Sequence, residues 1–254
     1  MKKLAIFISF LVLLGLTGCA TTPTDPAIVF KGQSDKQIFD GAEQALAKKN
    51  YSKAVTNFEG LQALYPFGPY SEQGQIEIIY AYYMNQDPAS ALAAADEYIR
   101  LYPRSPKVDY AYYMKGLINF ERERSFIQRV FNVNSAWRDL SYMRQAFIDF
   151  NELVQRFPES AYAADARTRM IYIRNVAAQY ELLVAQYYMN HQAYLAAANR
   201  ASYVVQHFQG APQVIDALVL MVKAYRQLNE PVLAAQTLQI LSHNYPTAPQ
   251  MKQL

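Results

Sequence analysis

The chain has 254 residues, 52% of them hydrophobic, with 24 Lys and Arg against 21 Asp and Glu. That length allows one or two domains, and the near balance of charge argues against the concentrated basic face that nucleic-acid binding needs. The single Cys excludes an intrachain disulfide and a thiolate zinc site, and the sequence holds no Gly-rich phosphate loop.

The first eighteen residues read as a lipoprotein signal peptide. Lys2 and Lys3 precede an apolar run, Leu4 to Leu14, that is short for a membrane span. It ends at Leu16-Thr17-Gly18-Cys19, which resembles the bacterial lipobox. In lipoproteins the signal is removed before the Cys, whose thiol then takes a diacylglycerol and whose new amine takes a further acyl chain. An uncleaved anchor helix is the competing reading. Two or three acyl chains anchor a protein firmly, whereas one does not. Ala20, being no Asp, goes with sorting to the outer membrane. Removal of Lys2 and Lys3 leaves 22 basic and 21 acidic residues, a nearly neutral mature chain.

Residues 19–33 hold Pro23, Pro26 and several Thr and read as a lipidated, extended tether. At about 3.3 Å per residue, the stretch from Ala20 to Gln33 reaches about 45 Å.

From Ser34 onward the pattern is helical, and it repeats. Tyr65-Pro66, Tyr102-Pro103, Phe157-Pro158, Phe208-Gln209 and Tyr245-Pro246 form one series, with Gln in place of Pro in the fourth copy. Twelve residues before each Pro position stands Ala: Ala54, Ala91, Ala146, Ala197 and Ala234. The aromatics lie 37, 55, 51 and 37 residues apart, two intervals being close to the tetratricopeptide period of about 34. The array therefore resembles tetratricopeptide repeats, each of two antiparallel helices. A small residue allows close approach, and Pro ends the second helix. Ala42, Ala54, Phe58 and Pro66 fall on the small, small, aromatic and Pro positions, and Gly116 suits the small slot of the third repeat.

The predicted helices run from Ser34 or Asp35 to Lys49, and over 51–64, 72–85, Asp87-Pro88 to the Tyr102 turn, 108–122, 140–156, 162–189, 193–206, 213–227 and 232–243. The fold class is all-α, a tetratricopeptide-like solenoid of five helix pairs. The third pair carries an insertion at about 121–140, either an ordered functional loop or a disordered excursion. The helix opening the fourth pair is long, about 40 Å, and divides an N-terminal half, 34–158, from a C-terminal half, 159–254.

No catalytic constellation is visible. His191, His207 and His243 sit near helix ends with no HExxH spacing, and no nucleophile elbow occurs. The reading is a binding protein, not an enzyme, with no metal and no cofactor beyond the lipid on Cys19. Helices offer no free strand edge, so recognition falls to side chains. The aromatic turn with Tyr65, Phe67 and Tyr70, the pair Tyr187-Tyr188, and Arg100, Arg104, Arg200 and Arg226 are the candidates. Tyr65 doubles as the repeat's packing aromatic, and Arg200 equally suits a surface solubiliser.

The stretches Tyr65-Pro66-Phe67-Gly68-Pro69-Tyr70-Ser71, Ile79-Tyr80-Ala81-Tyr82-Tyr83, Ile99-Arg100-Leu101, Asp109-Tyr110 and Tyr113-Met114-Lys115-Gly116-Leu117 resemble the BamD family of outer-membrane protein assembly factors. The lipobox, the tether, Phe131 and Arg138-Asp139 in the insertion, Tyr187-Tyr188 and Asn199-Arg200 agree. The resemblance implies a lipid-anchored, non-enzymatic subunit of the β-barrel assembly (BAM) complex on the periplasmic face of the outer membrane. Its implied partners are a POTRA domain of BamA through the C-terminal repeats, BamC where present through the N-terminal half, and the C-terminal β-signals of unfolded outer-membrane proteins. Tyr65, Phe67, Tyr70 and Tyr187 become candidate substrate contacts, and Arg200 and Arg226 candidate BamA contacts. A scaffold lipoprotein of another envelope machine, such as a secretin pilot, and a peptidoglycan-associated factor are the alternative functions.

Overall fold

The computed structural model describes residues 25–122 and 140–254; the lipobox with Cys19 and nearly all of the 121–140 insertion lie outside them. The described residues contain helices and no strand. In chain order the α-helices are α1 (Pro26–Val29), α2 (Asp35–Ala47), α3 (Tyr51–Leu64), α4 (Ser71–Met84), α5 (Pro88–Leu101), α6 (Val108–Arg122), α7 (Ser141–Arg156), α8 (Ala163–Asn190), α9 (Tyr194–His207), α10 (Gln213–Gln227) and α11 (Pro231–Asn244). A 3₁₀ turn, Pro249–Gln253, follows. From α2 to α11 these form the five tetratricopeptide-like pairs, and the chain separates into two compact units, one up to Gly74 and one from Gln75.

The helix starts follow from the sequence. Ser34 and Gln37 form a reciprocal capping box at α2, and the side chains of Asn50 and Asp87 accept hydrogen bonds from the first-turn amides of α3 and α5. Each occupies donors that the helix itself cannot satisfy. Pro88 and Pro231 stand at the first helical position, where no amide proton is needed.

The second helices of all five pairs end alike. Tyr65, Tyr102, Phe157, Phe208 and Tyr245 each donate their backbone N–H to the carbonyl four residues back, at 2.8–3.0 Å. Each carbonyl then accepts from the amide three residues on, at Gly68, Ser105, Ser160, Ala211 and Ala248. The backbone at these five residues stays within φ −135° to −120° and ψ 42° to 63°. The fourth copy adopts it with Gln209 in place of Pro, so the turn is held by the half-buried aromatic and its hydrogen bonds; Pro only reinforces the stop.

The first helices of pairs one, two, four and five also end alike. Lys49, Gln86, Gln192 and Asn229 lie in the left-handed region, at φ 57° to 61°. The next amide in each reaches five residues back, as Asn50 to Ala45, Asp87 to Tyr82, Ala193 to Tyr188 and Glu230 to Tyr225. This is the Schellman closure, usually built on Gly.

In the unit up to Gly74, α2 and α3 pack as one pair and α1 lies against α3. The extended tether therefore does not run as far as Gln33. Asp25 caps the single turn α1, and Phe30 is 6% exposed in a cluster with Ile38 and Leu61. Its ring lies where a Cβ on Gly60 would be, 2.1 Å from the Phe30 Cε2. Burying a Phe contributes about 1.5–3 kcal/mol, enough to dock a short segment that composition marks as loose.

In the unit from Gln75, α5 packs on α6, α6 on α7, α7 on α8, α8 on α9, α9 on α10, and α10 on α11. Ala91, Ala146 and Ala197 are fully buried, as is Ala54 in the other unit, and Ala234 is nearly so. Two hydrophobic clusters form. The first takes Tyr98, Ile118, Phe150 and Leu153 and reaches Ile173 and Val176 on α8. The second starts at Ala178 on the same helix and takes Leu182, Val204, Leu218 and Leu241. At 28 residues, or about 42 Å, α8 is longer than α7, with 16, and α9, with 14, and serves both clusters.

Candidate functional site

The turn between α3 and α4 is built from below. Tyr65 donates its hydroxyl to the Gln33 carbonyl at 2.7 Å, and Ser71, buried, donates its hydroxyl to the Pro66 carbonyl at 2.6 Å. Tyr70 stacks on Phe39, ring centroids 5.1 Å apart, and Phe39 meets Phe58 edge-on at 6.2 Å. Tyr65 and Tyr70 are half-buried members of the Phe30–Ile38–Leu61 cluster. Phe67, between Pro66 and Pro69, is 99% exposed. Of the three aromatics that the sequence singles out here, two hold the turn and one is presented to solvent. An apolar ring carried free on a braced turn is suited to insert into a partner's apolar pocket or to receive an aromatic side chain.

The other candidates lie in the second unit. Tyr187, near the end of α8, is 53% exposed. Its ring sits 4.1 Å from that of His191 and 5.9 Å, edge-on, from that of Tyr188. Its carbonyl lies 2.8 Å from His191 Nδ1, which orients the imidazole. Arg200 on α9 donates to Glu181 Oε2 on α8 at 2.8 Å. Glu181 is 14% exposed at its side chain, so the guanidinium neutralises a largely desolvated carboxylate and ties the fourth pair together. Arg226 donates to the carbonyl of Leu254 at 2.9 Å, pinning the C-terminal turn to α10. Arg100 pairs with Glu97 on its own helix, and Arg104 lies on the exposed turn after α5. Arg200 and Arg226 thus carry internal bonds as well as exposed surface.

Sequence reasoning missed a polar aromatic network on α6 and α8. Tyr113 and Tyr162 stack at 4.8 Å and Tyr110 tilts against Tyr162 at 5.6 Å. Tyr113 donates its hydroxyl to Asp165 at 2.7 Å, and Arg169 donates to the same carboxylate at 2.6 Å while lying 4.9 Å from the Phe120 ring. Burial and the bond to Asp165 push the Tyr113 phenol up to about 12, and burial raises Tyr110 likewise. Burial alone would raise Asp165, but the bonds from Arg169 and Tyr113 outweigh it and hold the carboxyl below its usual value. The Tyr-rich run 110–113 was the available signal; its partners, some fifty residues away, were not. Among the described residues no cluster of His, Cys, Asp and Glu is placed to hold a metal, and no helix is long and apolar enough to cross a membrane.

Comparison with known proteins assigns the chain. The profile of the YfiO family, described as outer membrane lipoprotein, matches residues 31–241. The chain is 38% identical to the outer membrane protein assembly factor BamD of Neisseria meningitidis serogroup B, over 100% of this chain and 95% of that protein. It is 35% identical to the BamD of Xylella fastidiosa strain Temecula1, over 98% and 84%. The BamD of Vibrio cholerae is also 35% identical, over 90% and 93%. With a family match across most of its length and relatives this similar, the chain belongs to the YfiO family of outer membrane lipoproteins, in which these relatives are outer membrane protein assembly factors.

Proposed function

We propose that this protein is a non-enzymatic scaffold and substrate-recognition lipoprotein of the BAM complex. Lipid on Cys19 anchors it to the periplasmic face of the outer membrane; the described helices offer no span of their own. Its aromatic turn engages the C-terminal β-signals of unfolded outer-membrane proteins, with Phe67 as the contact and Tyr65 and Tyr70 as its support. Its C-terminal pairs hold a POTRA domain of BamA, with Arg200 and Arg226 at that surface and Tyr187 as a further substrate contact. BamC, where present, binds the N-terminal half.

The names and coverage of the relatives support the complex. The observation that carries the substrate reading is Phe67, fully exposed on a turn whose other aromatics are packed and hydrogen-bonded. A solvated Phe on a braced loop stabilises nothing in the free chain, yet its support fixes its position and lowers the ordering cost of binding.

The test uses a fluorescent peptide that reproduces the C-terminal strand of an outer-membrane porin. Phe67→Ala should weaken its binding at least tenfold without changing the melting temperature. Unchanged affinity removes the turn from the substrate site. Co-purification of BamA from detergent-solubilised envelopes tests the complex separately, and its absence there, with another envelope machine recovered, would sink the assignment.

A further inference from the structure

The middle of α8 forms the floor of a groove of about 700 Å³. It opens where the first hydrophobic cluster gives way to the second, between Val176 and Ala178. The start of α7 supplies one wall and the end of α9 the other. Ile173, Ala177 and Tyr180 stand at i, i+4 and i+7 along the floor, and Phe147 and Tyr203 face it from either side. Ile148 in the first wall is 52% exposed and Tyr203 in the second 43%. Nothing in the Phe67 reading uses this surface.

The charge of the groove is one-sided. Arg144 and Arg174 line it, against a single carboxylate, Glu181. Glu181 is already neutralised by Arg200 at 2.8 Å. Arg174 donates to the backbone carbonyls of Gln209 and Gly210 and to the Asn175 side-chain oxygen, neutral acceptors that hold the side chain in place; among the described residues no carboxylate pairs with it. Arg144 is exposed and has no acidic partner among the described residues.

The shape selects the occupant's conformation. The floor is the middle of a long helix whose backbone groups are spent on its own hydrogen bonds, so an extended peptide would meet it with its amides unpaired. A helix arrives with its backbone satisfied, and its ridges can seat between side chains spaced four apart. We infer that this groove docks an amphipathic helix of a protein partner, apolar on the face toward Ile173 and Tyr180 and acidic along the flank toward Arg144 and Arg174. Because the floor belongs to both clusters, the docked helix would bridge them.

The test is photo-crosslinking of the full lipidated protein in its own envelope, with p-benzoylphenylalanine at Ile148 and separately at Tyr203. The cross-linked peptide is then sequenced. The expected product comes from another protein, places apolar residues at i, i+3, i+4 and i+7, and carries Asp or Glu on the neighbouring face. Arg144→Glu should cut its yield at least tenfold while helicity and melting temperature stay unchanged, and Phe67→Ala should leave the yield alone. The inference is overturned by no cross-link, by one to residues 123–139 of the same chain or to a second copy, by a basic or extended peptide, by indifference to Arg144→Glu, or by loss of the cross-link in Phe67→Ala.

Discussion

Lys49, Gln86, Gln192 and Asn229 hold a left-handed backbone that only Gly adopts without steric cost. The long side chains of Lys49, Gln86 and Gln192 give no sign of it, and only Asn229 is of a type that favours this conformation, so the sequence locates the helices on both sides without marking the first three turns. The amide that follows each of them closes the helix behind it, so the conformation is fixed by hydrogen bonds and not by the residue. Gln192 is exposed, and its own amide donates to the Met189 carbonyl, a bond that a Gly amide makes equally well. Replacing it removes the Cβ clash but adds freedom to the unfolded chain, two effects of opposite sign and similar size. The clash is the larger at a Schellman position. Gln192→Gly should therefore raise stability by about 0.5–1 kcal/mol, read as an increase in the urea midpoint at constant m value. A decrease would mean that the backbone at this turn is less strained than its φ of 60° implies.

At the scale of the helix, the repeat was legible because it is carried by small residues at fixed distances from aromatics. Ala54, Ala91, Ala146 and Ala197 have no exposed surface, since a larger side chain there would force the paired helices apart. Gly116 on α6 shows the same constraint more severely. A Cβ added to it would lie 2.5 Å from two ring carbons of Phe150 on α7. Phe150 is itself fully buried against Tyr113 and Phe120, so the ring has nowhere to go. In an exposed helix Gly→Ala gains about 1 kcal/mol, but overpacking costs about 1–3 kcal/mol. Gly116→Ala should come out destabilising, with the melting temperature lowered and the far-ultraviolet helical signal kept; a stabilised protein would show that the α6–α7 contact is looser than it looks. What the sequence withheld at this scale were contacts that depend on two elements at once. Phe30 sits in a segment rich in Pro and Thr, and only the space over Gly60 reveals it as an anchor. Glu181 lies in an uninterrupted helical run, and only α9 folding back brings Arg200 to it.

In the second unit, α8 belongs to two hydrophobic clusters, and this determines how a local defect spreads. In arrays of helix pairs, stability is close to a sum of each pair's own stability and its contacts with the next, so a weakened pair opens alone unless an element is shared. Leu241 on α11 and Leu182 on α8 are both buried in the second cluster, and Leu→Ala at either should cost about 2–5 kcal/mol. The consequences should differ. With Leu241→Ala, backbone amide exchange should quicken in α10 and α11 while α6 and α7 keep their protection, because those helices pack mainly on α5, α8 and each other. With Leu182→Ala, the loss falls on the helix that also carries Ala166 and Ile173 of the first cluster. Fraying that starts at Leu182 and passes Val176 withdraws the surface on which α7 packs, so exchange should quicken in α7 as well as in α9 and α10. Hydrogen exchange read by mass spectrometry separates these patterns peptide by peptide. Unchanged protection of α7 in Leu182→Ala would mean that α8 behaves as two independent helices joined end to end, and that the groove over its middle is a hinge between separate halves instead of a seam in one body.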